Sequence, residues 1–223
     1  MLTVIQAIKN RRSIRKYKPD PVPDDIILQL LDCALLAPSA HNWQPRRFVV
    51  IKDAAIKKKL REYAYGLNFV ELAPCIIVCC ADLNAFGARV SRRRMKELLV
   101  AGALDDIGEV SPTTPDWLQG AGRDEDLYQY RGQAAFDSAI ATEHIVLAAL
   151  AFGLGTCWMH LFEPEKVHRL LNLPDTTIVV SLLSLGYPAQ DPPQRPRLPL
   201  EDIILAPIPG ACSFKSQAPN PKS

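Results

Sequence analysis

Residues 134–159 read AAFDSAIATEHIVLAALAFGLGTCWM, and this run decides the architecture. Ile140, Ile145, Leu147, Ala148 and Ala151 recur with a broad apolar surface, and Gly153 stands where a left-handed residue ends a helix. The spacing predicts a central, buried helix over 134–154 followed by a strand over 156–161. Such a helix-to-strand passage runs opposite to a dinucleotide fingerprint, and Trp158 holds the place of its third glycine. Thr142, Glu143 and His144 interrupt the apolar stretch 139–154, which falls short of the roughly 20 residues of a membrane span.

Working outward, Thr3 and Gln6 form a capping box for a first helix ending near Asn10. Pro23, Asp24 and Asp25 open a second, with Ile27, Leu30, Leu31 and Ala34 at helical spacing and Pro38 as its stop. Residues 48–51, 75–81 and 177–185 are short apolar or β-branched runs that read as strands, the last buried on both faces. Helices are expected over 56–64 and 164–171. This mixed order is α+β. One domain over 1–205 is expected, with a helical or lid excursion around 84–132, then an extended tail over 206–223 carrying Pro207, Pro209, Pro219 and Pro221.

The chain has 223 residues, enough for one substantial core, and a net charge of +2, too small for a general polyanion-binding surface. Cys33, Cys75, Cys79, Cys80, Cys157 and Cys212 lack C-x-x-C spacing, and no secretory pattern opens the chain, so a reducing, cytoplasmic setting is expected. Alternation places Cys79 and Cys80 on opposite strand faces as small hydrophobes. The basic stretch 89–96 reads as a solvated helix face, so neither nucleic acid nor membrane is an expected partner.

Four segments can carry chemistry. In Arg11-Arg12-Ser13-Ile14-Arg15-Lys16-Tyr17, guanidinium forks and a hydroxyl could converge on a phosphate, or form a solvated basic turn. In Pro38-Ser39-Ala40-His41-Asn42-Trp43-Gln44-Pro45, the Asn42 and Gln44 amides suit the edge of a heterocycle, or satisfy their own loop. His41 has no metal-ligand partner at a fitting spacing. The glycines of Gly153-Leu154-Gly155-Thr156-Cys157-Trp158-Met159 either admit a flat ligand or pack neighbouring elements closely. Gly186-Tyr187-Pro188 precedes Arg195-Pro196-Arg197, a second cationic pair.

In this order and spacing, the four segments resemble the flavin-dependent nitroreductase family. The resemblance implies a nitroreductase-like fold with a central mixed or antiparallel sheet flanked by helices. It also implies a homodimer formed through long helices, with two FMN sites at the interface. Arg11, Arg12, Ser13 and Arg15, with Arg195 and Arg197, resemble its phosphate-binding set. Pro38, Ser39, Ala40, Asn42 and Gln44 resemble the loop that a partner subunit lays along the flavin. Cys157, Trp158 and Met159 fall beside the ring, and Asn68 at its pyrimidine edge. No residue is catalytic in this reading, because the flavin N5 carries the hydride. NADH or NADPH and a small electron-poor oxidant, such as a nitroaromatic or quinone, take turns in a ping-pong scheme. Arg46-Arg47 stands where many relatives have an aromatic residue. Same-fold alternatives are aromatic dehalogenation, flavin fragmentation, or flavin binding without catalysis.

Overall fold

The computed structural model describes residues 2–103 and 127–204; Cys212, the tail over 206–223 and the middle of the 84–132 excursion lie outside them. The chain forms two compact units, Met1–Pro192 and Pro193–Ser223.

In the first unit, helix α1 (Val4–Asn10) starts at the capping box. The Gln6 amide N–H donates to Thr3 Oγ1, and the Thr3 N–H donates to Gln6 Oε1 at 2.9 Å. Helix α2 (Asp24–Leu35) carries Asp24 and Asp25 in its first turn, where the helix dipole favours negative charge. Strand β1 (Arg46–Ile51) leads to α3 (Ala54–Tyr63), whose N-cap Asp53 accepts from the Ile56 N–H. A short helix not evident from periodicity, α4 (Asn68–Leu72), precedes β2 (Cys75–Asp82). Then come α5 (Ala88–Val100), α6 (Arg131–Ala149), β3 (Gly155–Met159), α7 (Pro164–Leu170) and β4 (Thr177–Gly186). The second unit contributes a single-turn helix, α8 (Leu200–Ile203).

The four strands are antiparallel throughout, in the order β1-β2-β4-β3. Both faces of the two middle strands are covered. Cys75, Ile77 and Cys79 pack with Ile27, Leu30, Ala141 and Ile145 of α2 and α6. Ile76, Val78 and Cys80 pack with Leu60, Val70 and Val167 of α3, α4 and α7. Cys79 and Cys80 thus face opposite layers, as alternation predicts, even though the β2–β4 register shifts between them. Burial pushes the Cys75 and Cys79 thiols up to about 11 and Cys80 up to about 12.

Helix α6 explains its own composition. Ser138 Oγ donates to the Cys80 carbonyl at 3.2 Å, and Thr142 Oγ1 donates to the Ser138 carbonyl at 2.8 Å, so its buried hydroxyls are satisfied. The stretch Leu127–Phe152 is long and apolar enough to cross a membrane by length and composition. Here it buries Ala134, Ser138, Ala141, Thr142, Ile145 and Ala149, as a core helix does. The α-helix ends at Ala149, a 3-10 turn follows, and Gly153 stops it at φ 68°. Strand β3 is shorter than expected, ending at Met159 with His160 and Leu161 exposed.

Gly155 of the third segment and Gly186 of the fourth pack protein against protein. A Cβ on Gly155 would lie 2.4 Å from Ile14 Cγ1, and one on Gly186 would lie 2.5 Å from Pro74 Cδ and 2.9 Å from Tyr17 Cδ1. They admit the basic segment, which docks through the Ile14 N–H to the Thr156 carbonyl at 2.8 Å and the Lys18 N–H to the Tyr187 carbonyl at 2.8 Å. Tyr17 Oη donates to the Ile14 carbonyl and lies 2.7 Å from Ser184 Oγ.

Gly155→Ala is expected to destabilise the fold by roughly 1–3 kcal/mol through overpacking, and adding Ile14→Ala to recover part of that loss; urea denaturation of the three variants checks both. A second expectation follows from the thiols. Below about pH 8.5 they are protonated in both states and contribute nothing. Above it the unfolded chain releases protons that the folded chain keeps, so stability falls as pH rises toward 11. The denaturation midpoint should decline between pH 8.5 and 10.5, and less steeply in Cys80→Ala.

Candidate functional site

The basic segment is extended, with Ser13 bridged to Thr156. Ile14 is buried against Gly155, so its neighbours Ser13 and Arg15 face outward together. The Arg12 guanidinium donates through Nη1 to the Lys9 and Arg11 carbonyls, both at 2.8 Å, and ties off the end of α1. Arg11 lies near Glu143 of α6: burial raises that carboxyl, and the Arg11 charge opposes the rise. The Arg15 guanidinium sits 5.7 Å over the Phe69 ring, which brings it to the start of α4 beside exposed Asn68. In β3, Trp158 is exposed while Cys157 and Met159 are buried in the layer with α3 and α7. Trp158 alone of these three presents a side chain outward.

The second segment is a strained loop. His41, Asn42 and Gln44 all have positive φ, at 47°, 53° and 53°, and non-glycine residues held there cost of order 1–3 kcal/mol each. Side chains hold the shape. Ser39 Oγ accepts from the Gln44 N–H at 3.0 Å, and Gln44 Nε2 donates to Asn42 Oδ1 at 3.0 Å. Trp43 is buried against Phe86, donates to Ser91 Oγ at 3.0 Å, and has the His41 ring 4.7 Å from its own. Pro38 is exposed; Ser39, Ala40 and Asn42 are half-buried.

Beneath the loop lie two ionisable groups that periodicity does not single out as a pair. Asp137 of α6 is 1% exposed and accepts from Gln133 Nε2 at 2.8 Å. Burial raises its carboxyl, while Gln133, the Ala40 backbone amide and Arg46 oppose the rise. Arg46, 5% exposed, donates to the Leu35 carbonyl. A lone aspartate inside an apolar helix was the available signal for this arrangement.

The two segments do not meet within one chain. The basic segment docks where Thr156 faces Leu185, which faces Cys75 across the sheet. The loop enters β1 at Arg46, opposite Ala81 at the other end of β2. Six steps along β2 at about 3.3 Å each separate these rows by roughly 20 Å, and β1 and β3 also occupy opposite edges of the sheet. Arg195 and Arg197 belong to the second unit, where Arg197 Nη1 donates to the Pro196 carbonyl at 3.1 Å.

Comparison with known proteins bears on this arrangement. The chain is 38% identical over 209 residues to the NADH dehydrogenase of Thermus thermophilus, covering 89% of this chain and 93% of that one. It is 29% identical to the FMN reductase (NAD(P)H) of Bacillus subtilis, over 91% of this chain and 73% of that protein. A solved structure of a candidate nitroreductase in complex with FMN, from Exiguobacterium sibiricum, superposes with a TM-score of 0.76 at 25% identity, covering 93% and 98% of the two chains. The model of the nitroreductase family matches residues 8–187, and the chain belongs to that family.

Proposed function

We propose that this chain is an FMN-dependent oxidoreductase that takes electrons from NADH or NADPH and delivers them to a small electron-poor acceptor, and that it works as a cytoplasmic homodimer. The observation that carries the reading is the separation of the basic segment from the strained loop. One chain holds a cationic, hydroxyl-bearing half-site at one end of its sheet and an amide-bearing half-site at the other. Two copies arranged about a twofold axis can pair each half with its complement.

The surface supports that pairing. Val4, Ile5 and Ile8 of α1, Leu28 and Leu35 of α2, and Phe136 of α6 are all exposed. Large apolar side chains grouped on neighbouring helices mark an association surface.

The residues fit the cofactor. Arg11, Ser13 and Arg15 offer charged and neutral donors of the kind that bind a phosphate. The positive φ values of His41, Asn42 and Gln44 turn backbone amides in a loop that also carries two side-chain amides. When bound, FMN supplies the hydride-accepting and electron-donating centre. The protein's part is to hold the phosphate with the basic segment, to orient the ring with the loop and the β3 backbone, and to leave one face open for donor and oxidant in turn. In this reading Trp158, exposed beside the buried Cys157 and Met159, borders that face.

Protein purified without added cofactor should carry FMN that bleaches on anaerobic addition of NADH or NADPH. Bound flavin that resists both donors would leave the fold but remove the proposed reaction. Chains carrying Arg11→Ala with Ser13→Ala should lose FMN, and so should chains carrying Asn42→Ala with Gln44→Ala. Co-expressed, the two kinds of chain form a heterodimer with one intact composite site, so absorbance at the flavin band should return to about one FMN per two chains. No recovery in a verified heterodimer would sink the composite site.

A further inference from the structure

Beside the strained loop lies a cavity of about 190 Å³ whose lining includes Gln44, Arg46, Arg47, Asp82, Arg93 and Arg94. Its volume is far above the ~15 Å³ that a single water requires, so a polyatomic ligand fits. Asp82 pairs with Arg47 at 3.0 Å, and Glu97 pairs with Arg94 at 2.6 Å and Arg93 at 3.5 Å. Even counting Asp137 behind Arg46, four guanidinium groups outnumber the carboxylates.

Hydrogen bonding shows the same excess of donors. Arg46 is buried, yet its Nε and Nη1 have no partner among the described residues, and Arg94 Nε has none either. Among the described residues, Arg46 spends Nη2 alone, on the Leu35 carbonyl. The Asp137 charge attracts Arg46, but Asp137 Oδ2 has no hydrogen bond among the described residues, so the two do not satisfy each other. Meanwhile Arg47 and Arg94 repel Arg46. Arg46, buried with two donors unspent and repelled by Arg47 and Arg94, lies in the wall of a cavity whose other three arginines share two carboxylates; a multivalent anion stabilises such a cluster, and forked guanidinium donors match tetrahedral oxyanions best.

We propose that this cavity is a phosphate-binding subsite. Its ligand is a phosphate group, borne either by the free inorganic dianion or by a phosphorylated nucleotide such as the 2′-phosphate of NADPH. The nucleotide source rests on the proposed electron-donor reading; the subsite itself does not.

Isothermal titration of the purified protein with inorganic phosphate, at constant ionic strength in chloride, tests it. Saturable binding is expected, weakened at least tenfold in Arg47→Gln with Arg93→Gln. Those side chains are 51% and 65% exposed, so the variant should keep its fold, which a thermal melt verifies. The Arg11→Ala, Ser13→Ala variant should retain phosphate binding even where it loses flavin, which separates this subsite from the flavin phosphate site. Competition by 2′,5′-ADP but not by 5′-AMP identifies the nucleotide source; competition by neither identifies the free anion. No saturable binding of any probe, or equal binding in the folded Arg47, Arg93 variant, overturns the proposal.

Discussion

Two antiparallel strands buried on both faces, β2 and β4, impose the constraint on which the rest of the molecule depends. Their side chains satisfy helices on either side, and their length keeps the two ends of the sheet apart. The two segments of the proposed site are attached one to each end. The basic segment runs along the end where Gly155 and Gly186 leave room for it, and the strained loop leads into β1 at the opposite end. A site that needs both must be assembled from two sheets.

That geometry changes what the glycines mean. Gly155 and Gly186 lack side chains because Ile14, Pro74 and Tyr17 occupy the space. In the proposed cofactor site their contribution is indirect: they fix the depth of the segment that carries Arg11, Ser13 and Arg15. The Tyr17 hydroxyl, close to both the Ile14 carbonyl and Ser184, ties the far end of that segment to β4. Burial holds this phenol protonated well above its ordinary range, so it serves as a fixed neutral strut.

At the other end, strain and charge are stored together. Three non-glycine residues with positive φ persist because Ser39, Trp43 and the Gln44–Asn42 pair over-determine the loop. Asp137 and Arg46 lie below it in a setting where each buried charge depends on its surroundings. Near-neutral overall charge conceals this local asymmetry. A net charge of +2 says little about a surface on which four arginines share one cavity.

The elements themselves were legible in the sequence, because their signals are local. The Thr3–Gln6 box, the aspartates opening α2, the apolar runs of β2 and β4 and the glycine ending the central helix each act within a few residues. The short α4 was not, since five residues give too little periodicity to register. The motifs around Arg11, Asn42 and Gly153 were visible as motifs, but their spatial relation was not. Whether Gly155 faces a ligand or Ile14, and whether the loop meets the basic segment, depends on strand order and register. So does the burial of Asp137 next to Arg46, from residues 91 positions apart in the chain. Sequence determined the elements and the chemical inventory through short-range hydrogen bonding and hydrophobic periodicity. Tertiary structure alone decided which of those groups face each other, because packing across the sheet joins residues that no local pattern connects.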